Sequence, residues 1–115
     1  MHTTPLILVA VTLLAMDVNV DTREKLAVCH KQIDSINQHI DQLIQDRARV
    51  VNEEGRIKKE AHLPVAVPNR EEEVIEKSQE LAKGDSLSPD VVGRSFRIVV
   101  EKMRDWEAKL DSPAQ

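Results

Sequence analysis

The sequence predicts an all-α fold of three helices, one long, one short and one of medium length. Apolar residues recur every three or four positions along three separate segments, which is the spacing of one face of a helix. No segment shows the strict alternation of apolar and polar residues that is typical of a half-buried strand. The length of 115 residues indicates one domain.

Residues 1–20 are predicted to be a secretion signal. Residues 5–16 form an uncharged apolar run that is too short to cross a bilayer core of roughly 30 Å and is typical of the central region of a signal peptide. The residues before it include His2 but no Lys or Arg, so a membrane anchor or an apolar N-terminal helix is the alternative. We therefore expect a secreted or periplasmic domain of residues 21–115, free of the membrane once the signal is removed.

The first helix is predicted over residues 22–59, which contain no proline and only one glycine, Gly55. At 1.5 Å per residue a helix of about 35 residues is roughly 50 Å long, whereas a compact domain of this size has a radius of gyration of only about 12–13 Å. A helix this long is expected to pack against a second copy, and so the sequence predicts a homodimer. Its apolar stripe, on which we expect a buried thiol, consists of Leu26, Cys29, Ile33, Ile36, Ile40 and Leu43.

Two shorter helices follow a loop that contains Pro64 and Pro68. Asn69 is predicted to cap the second helix, with Glu72 completing a capping box, and Gly84 to end it. Its apolar face is formed by Val74, Ile75, Ser78, Leu81 and Ala82. The third helix is predicted to start at Ser88, because proline follows as the first helical residue. Its stripe is formed by Val92, Phe96, Val99, Met103, Trp106 and Leu110.

Arg47 occupies the next position of the first apolar stripe, where an aliphatic side chain is expected. Lys58 lies three turns further along nearly the same face. A cation on a buried face is costly unless a counter-charge meets it, and arginine does not escape by losing its proton. We therefore expect an anion near Arg47, either a carboxylate of the protein or a ligand.

The remaining candidate residues are Arg70 and Glu107. Arg70 lies in the first turn of the second helix, where the helix dipole disfavours a cation, and local pairing with the glutamates that follow is the alternative explanation. Glu107 lies close to the stripe of the third helix, either as a site residue or at the rim. Two or three cations and a carboxyl group suit a small dicarboxylate.

Several classes of function are not supported by the sequence. The formal net charge of −4 does not indicate binding to nucleic acid. We find no pairing of a nucleophile with a base, no histidine spacing for a metal and no glycine-rich phosphate loop. An enzyme built from these residues would need no cofactor or metal and would act by positioning and electrostatics.

The order of these residues resembles the all-α chorismate mutases, and the resemblance covers residues 25–110. It implies an intertwined homodimer in which the first helix of each chain spans both active sites. The matching segments are Ile33-Asp34-Ser35-Ile36-Asn37, Asp46-Arg47, Gly55-Arg56-Ile57-Lys58, Pro64-Val65 and Asn69-Arg70-Glu71-Glu72.

The resemblance also implies roles for individual residues. Arg47 and Arg70 would hold the carboxylates of chorismate, and Glu71 would bind its hydroxyl. Lys58 would contact a carboxylate and the ether oxygen. Glu107 would donate to the same ether oxygen, which a glutamate does only when protonated, so activity is expected to rise toward acidic pH.

Three positions depart from the family pattern. His30 stands where an arginine reaches into the partner's site, Val67 replaces an acidic residue, and Met103 replaces a small hydroxyl residue. The predicted function is the rearrangement of chorismate to prephenate, a step of aromatic amino acid biosynthesis. The alternatives are isochorismate pyruvate-lyase activity or a related pericyclic reaction, and a non-catalytic helical binding protein whose site has decayed.

Overall fold

The computed structural model describes residues 18–110, which form three helices and no strand. They are α1 (Val20–Glu60), α2 (Pro68–Leu81) and α3 (Pro89–Leu110). The predicted all-α class and the long, short and medium lengths are confirmed. Within residues 18–110, no helix combines the length and the apolar character needed to cross a membrane. The predicted signal at residues 1–20 lies almost entirely outside the described residues.

The chain divides into two compact units, the first ending at Ile44 and the second beginning at Gln45. The described part of the first unit is the N-terminal portion of α1, where the Asn19 side chain accepts a hydrogen bond from the Thr22 amide at 2.8 Å. No residue of α1 is buried. The apolar stripe is open to solvent in the single chain, with Ile36 55% and Leu43 65% exposed. Cys29 is exposed as well, so its predicted burial is not found within one chain.

The second unit contains the end of α1 together with α2 and α3. Its core is small, and the buried hydrophobic residues are Ile75, Ala82, Val100 and Met103. α2 and α3 approach closely at Gly93, because a Cβ atom there would lie only 2.6 Å from the Gln79 side-chain nitrogen. Glycine at this position therefore allows the close packing of the two helices.

The start and end of α2 differ from the prediction. The helix begins at Pro68, Val67 is its N-cap, and no side chain caps it, so the prediction of Asn69 as the cap is wrong. Proline favours this start because its fixed φ suits the first turn and its missing N–H needs no partner there. The helix ends at Leu81, and Gly84 adopts its left-handed φ of 84° in the turn beyond. The start of α3 is as predicted, with Ser88 Oγ accepting from the Val91 amide at 3.3 Å.

The buried face of α3 is rotated from the predicted stripe. Phe96 and Trp106 are 41% and 38% exposed, and Glu107 is 5% exposed. The buried residues of the helix are Gly93, Val100, Met103 and Glu107. A carboxyl group therefore lies on the face of α3 that is turned away from solvent, and the interpretation of Glu107 as a rim residue is wrong.

Candidate active site

A cavity of about 140 Å³ in the second unit brings together most of the predicted site residues. It lies among the end of α1, the loop before α2, the first turn of α2 and the middle of α3. Four cations and three carboxyl groups line it. They are Arg47, Lys58, Arg70 and Arg104, with Glu54, Glu71 and Glu107.

Arg47 is part-buried, and no ion pair within residues 18–110 involves it. Its guanidinium donates one hydrogen bond, to the sulfur of Met103 at 2.9 Å. A thioether is a weak acceptor that carries no charge. Within residues 18–110, no carboxylate forms an ion pair with Arg47, so the anion expected from the sequence is not supplied by these residues of the same chain.

Lys58 is held at a fixed place in the cavity wall, with its side chain 13% exposed. Its ammonium donates to the Val65 carbonyl at 2.8 Å and pairs with Glu54 at 2.7 Å and Glu107 at 3.5 Å. Burial alone lowers the pKa of Lys58, but the hydrogen bond and charge of Glu54, with those of Glu107, outweigh it and raise the pKa above its ordinary value. Lys58 therefore remains a cation throughout the neutral pH range.

Glu107 reaches the cavity across the backbone of α1. Its Oε2 atom lies 3.0 Å from the place where a Cβ atom on Gly55 would stand. A Cβ atom at position 55 would therefore require the Glu107 side chain to shift by a few tenths of an ångström. The sequence shows Gly55 as the one glycine of a long helix, and the structure shows that its missing side chain leaves space for Glu107.

Glu71 and Arg70, adjacent in sequence, differ in their surroundings. Glu71 is 20% exposed and accepts a hydrogen bond from Arg104 at 2.8 Å. Arg70 lines the cavity, but its guanidinium pairs with Glu73 at 2.7 Å and its side chain is 56% exposed. Pairing with a neighbouring glutamate was the alternative to a site role, and the structure shows that pairing.

The three positions that depart from the family pattern are found in different surroundings. Val67 lines the cavity as the N-cap of α2, and Met103 lines it as the acceptor of the Arg47 hydrogen bond. His30 lies on the first unit, where it is exposed. Within one chain, therefore, the second unit assembles every predicted site residue except His30.

Glu54 and Arg104 line the cavity but were not predicted. Glu54 stands four residues before Lys58, which is the usual spacing of a helical ion pair, so the sequence contained a signal for it. Arg104 follows directly after Met103 on α3, and nothing in its own helix marks it. Arg104 is notable because it donates a hydrogen bond to Glu71 of α2, a contact that only the folded chain creates.

The arrangement can bind an anion and respond to charge that develops on it. One cavity is lined by a part-buried guanidinium that has no ion pair among residues 18–110, by a fixed ammonium and by a buried carboxyl group. No group of three or more His, Cys, Asp or Glu side chains that could hold a metal ion occurs in the part of the chain described here. The fold and the site thus define a helical protein with a cation-rich cavity, whose charges suit a small carboxylated molecule.

The chain belongs to the chorismate mutase type II family, whose sequence model matches residues 29–108. The bifunctional chorismate mutase/prephenate dehydratase of Aquifex aeolicus is 32% identical over 90 residues, which cover 76% of this chain and 25% of that protein. The chorismate mutase of Methanocaldococcus jannaschii is 30% identical over 78 residues, which cover 68% of this chain and 79% of the relative.

This chain thus spans about a quarter of the length of the Aquifex relative and most of the length of the Methanocaldococcus one. No solved structure gave a significant match. The predicted family is confirmed, and the comparisons support chorismate mutase function, an isomerase activity, for this chain.

Proposed function

We propose that the chain catalyses the rearrangement of chorismate to prephenate. The single observation that carries the proposal is Arg47, a part-buried arginine that lines the cavity and whose one hydrogen-bond acceptor among the described residues is the Met103 sulfur. A ligand carboxylate would give this guanidinium the charged acceptor that the described residues do not provide. Membership of the chorismate mutase type II family supports a dicarboxylate that carries an enolpyruvyl ether as this ligand.

The reaction breaks one C–O bond of the ether and forms one C–C bond within the same molecule, so no group leaves and no proton is consumed. Arg47 and Arg70 hold the two carboxylates, which keeps the enolpyruvyl arm over the ring. Arg70 exchanges its exposed partner Glu73 for the substrate, a small cost because such surface pairs contribute only about 0–1 kcal/mol.

Negative charge develops on the ether oxygen as the C–O bond breaks. Lys58 is already oriented by Val65 and Glu54 and needs no rearrangement to meet this charge. Glu107, 3.5 Å from the Lys58 ammonium, donates a second hydrogen bond in its protonated form. The thioether of Met103 has no hydrogen-bond donor. The donor for a substrate carboxylate beside Met103 is therefore the Arg47 guanidinium.

The test is incubation of the purified protein with chorismate and, separately, with isochorismate. We expect prephenate from the first and no reaction with the second. Salicylate and pyruvate from isochorismate would favour the lyase alternative. The absence of any product, together with no rise in the melting temperature on adding either compound, would favour the non-catalytic binding protein.

We also propose that the protein is an intertwined homodimer. The buried hydrophobic residues of the second unit are few, and α1 has none, so one chain buries little apolar surface on which to depend for its stability. The exposed stripe that includes Ile33, Ile36 and Ile40 gives α1 an apolar face that a second copy would cover. In this dimer His30 of each chain would reach the cavity of the other.

The dimer is tested by comparing Ile36→Glu with Gln38→Glu, which adds the same charge on the opposite side of α1. Sedimentation should show monomers for the first variant and dimers for the control and the unaltered protein. A monomeric unaltered protein with full activity would contradict the proposal. Equal behaviour of the two variants would show that the stripe is not the interface.

Export of the protein remains a proposal that rests on the apolar run at residues 5–16. When the full chain is expressed, the intact mass of the protein outside the cytoplasm should correspond to cleavage near residue 20. The variant Leu13→Arg, which interrupts the apolar run, should stay in the cytoplasm at full length. An unaltered chain that also remains full length in the cytoplasm would contradict export.

A further inference from the structure

Arg104 is the cation of the cavity for which neither the sequence nor the family resemblance gives a role. Its Nη1 atom donates to Oε1 of Glu71 at 2.8 Å, and its Nη2 atom lies 3.6 Å from Asp105. Its side chain is 34% exposed, compared with 56% for Arg70. The less exposed of these two arginines is therefore the one that is paired with a carboxylate of the site.

A second ion pair joins the same two helices and provides a comparison. Arg97 of α3 donates two hydrogen bonds to Glu72 of α2, at 2.9 and 3.2 Å. The side chains of Arg97 and Glu72 are both about half exposed, and neither residue lines the cavity. The Arg97 pair already joins α2 to α3 with two hydrogen bonds, whereas the Arg104 pair has only one. Joining the two helices therefore does not by itself explain the Arg104 pair.

The Arg104 pair differs because it fixes a carboxylate that faces the cavity. The negative charge of Glu71 raises the pKa of Arg104 above its ordinary value, so Arg104 stays a cation beside this carboxylate. Arg104 engages the Oε1 atom and leaves Oε2 able to accept a hydrogen bond from a ligand hydroxyl. A glutamate held in one rotamer loses less side-chain entropy when the ligand binds.

We propose that Arg104 is a positioning residue, which holds Glu71 oriented as the acceptor for the ring hydroxyl of the substrate. The inference rests on the proposed function, because the hydroxyl is that of chorismate. Arg104 acts through Glu71 and makes the site selective for a substrate that carries a hydroxyl donor. A buried acceptor discriminates strongly against an analogue that cannot donate to it.

The experiment is a double-mutant cycle on kcat/KM for chorismate with Arg104→Gln, Glu71→Gln and the combined variant. Arg104→Gln should lower kcat/KM by about ten- to a hundredfold, which is the loss seen at metal sites when a residue that orients a metal ligand is removed. In the Glu71→Gln background the same change should cost less than about twofold. Arg104→Lys, which keeps the charge, should recover part of the loss.

The matched control is Arg97→Gln, which breaks the other ion pair between α2 and α3. It should leave kcat/KM within about twofold of the unaltered protein, since surface pairs contribute little. A chorismate analogue with its ring hydroxyl methylated gives a second measurement. The unaltered protein should prefer chorismate over this analogue, and Arg104→Gln should lose most of that preference.

Several results would overturn the inference. One is an equal loss from Arg104→Gln in both backgrounds, which would mean that Arg104 acts independently of Glu71. Another is an equal kinetic effect of Arg97→Gln, which would mean that the pairs only join the helices. If the unaltered protein converts chorismate and either result appears, the inference fails alone. If the unaltered protein does not convert chorismate, the proposed function fails, and the inference fails with it.

Discussion

Replacing Arg47 tests ligand binding separately from the stability of the fold, because Arg47 makes few stabilising contacts within the described chain. Its guanidinium has one hydrogen bond, to the Met103 sulfur, and no ion pair among the described residues. A neutral hydrogen bond contributes about 0.5–1.5 kcal/mol net, and a thioether acceptor should lie at the lower end of that range. Arg47→Leu removes this bond and leaves an aliphatic side chain that continues the stripe.

The expected change in stability is therefore small and of either sign. A difference of 1 kcal/mol shifts the melting temperature of a domain of this size by about 4–8 °C. We expect Arg47→Leu to stay within about 4 °C of the unaltered protein. The effect on catalysis should be much larger, because loss of the cation that holds a substrate carboxylate costs about 2–5 kcal/mol, or roughly thirtyfold to several thousandfold in kcat/KM.

The assay follows the disappearance of chorismate under steady-state conditions, with thermal melts of the same samples by circular dichroism. Arg47→Ala and Arg47→Leu should both lose turnover while their dimers persist. The control is Arg49→Ala, two residues further along α1, where the arginine is exposed and paired with Asp46. This control should keep both its activity and its melting temperature.

The reasoning would be refuted by either of two results. If both Arg47 variants unfold, Arg47 is a structural residue whose partner lies elsewhere, and the main support for a ligand is lost. If Arg47→Ala keeps kcat/KM within about threefold, no catalytic anion depends on it.

Three further predictions concern Glu107, Gly55 and Lys58. Activity should rise toward acidic pH, and Glu107→Gln, which donates at any pH, should flatten the profile; a profile already flat between pH 4 and 8 in the unaltered protein would contradict this. Gly55→Ala adds up to about 1 kcal/mol of helix propensity, yet should lower kcat by displacing Glu107, and an unchanged or higher kcat would show that this close contact is unimportant. Because the pKa of Lys58 is raised in the folded protein, the charged lysine stabilises the fold below the ordinary lysine pKa of about 10.4. This stabilisation is lost as the pH rises through the higher pKa of the folded state, so the melting temperature between pH 9 and 11 should fall less in Lys58→Met than in the unaltered protein. An equal fall in both would contradict the raised pKa of Lys58.

The sequence predicted the helices well because each is marked by local chemistry. The absence of proline, the three-four spacing of α1 and the Ser88-Pro89 start of α3 depend on neighbouring residues alone. The cap of α2 was missed because two local signals competed. Pro68 at the first helical position prevailed over the capping box predicted at Asn69.

The site could be predicted only in part, because its pairs join distant segments. Arg47 and Lys58 were found as cations on an apolar face, and that property lies within one helix. The pairing of Arg104 with Glu71, and the space that Gly55 leaves for Glu107, depend on which face of α3 is buried. The predicted stripe of α3 was rotated from the real one, because Phe96 and Trp106 are apolar and yet stay exposed in the single chain.

The hydrogen bond between Arg47 and Met103 places an oxidisable sulfur atom in the wall of the cavity. Met103 is the sole methionine of residues 21–115. Addition of one oxygen would turn its sulfur into a polar sulfoxide, a much stronger acceptor at the end of the same guanidinium. Arg47 would then be held by the protein itself and not by a substrate carboxylate. Peroxide should thus inactivate the enzyme without unfolding it, and a methionine sulfoxide reductase should restore it.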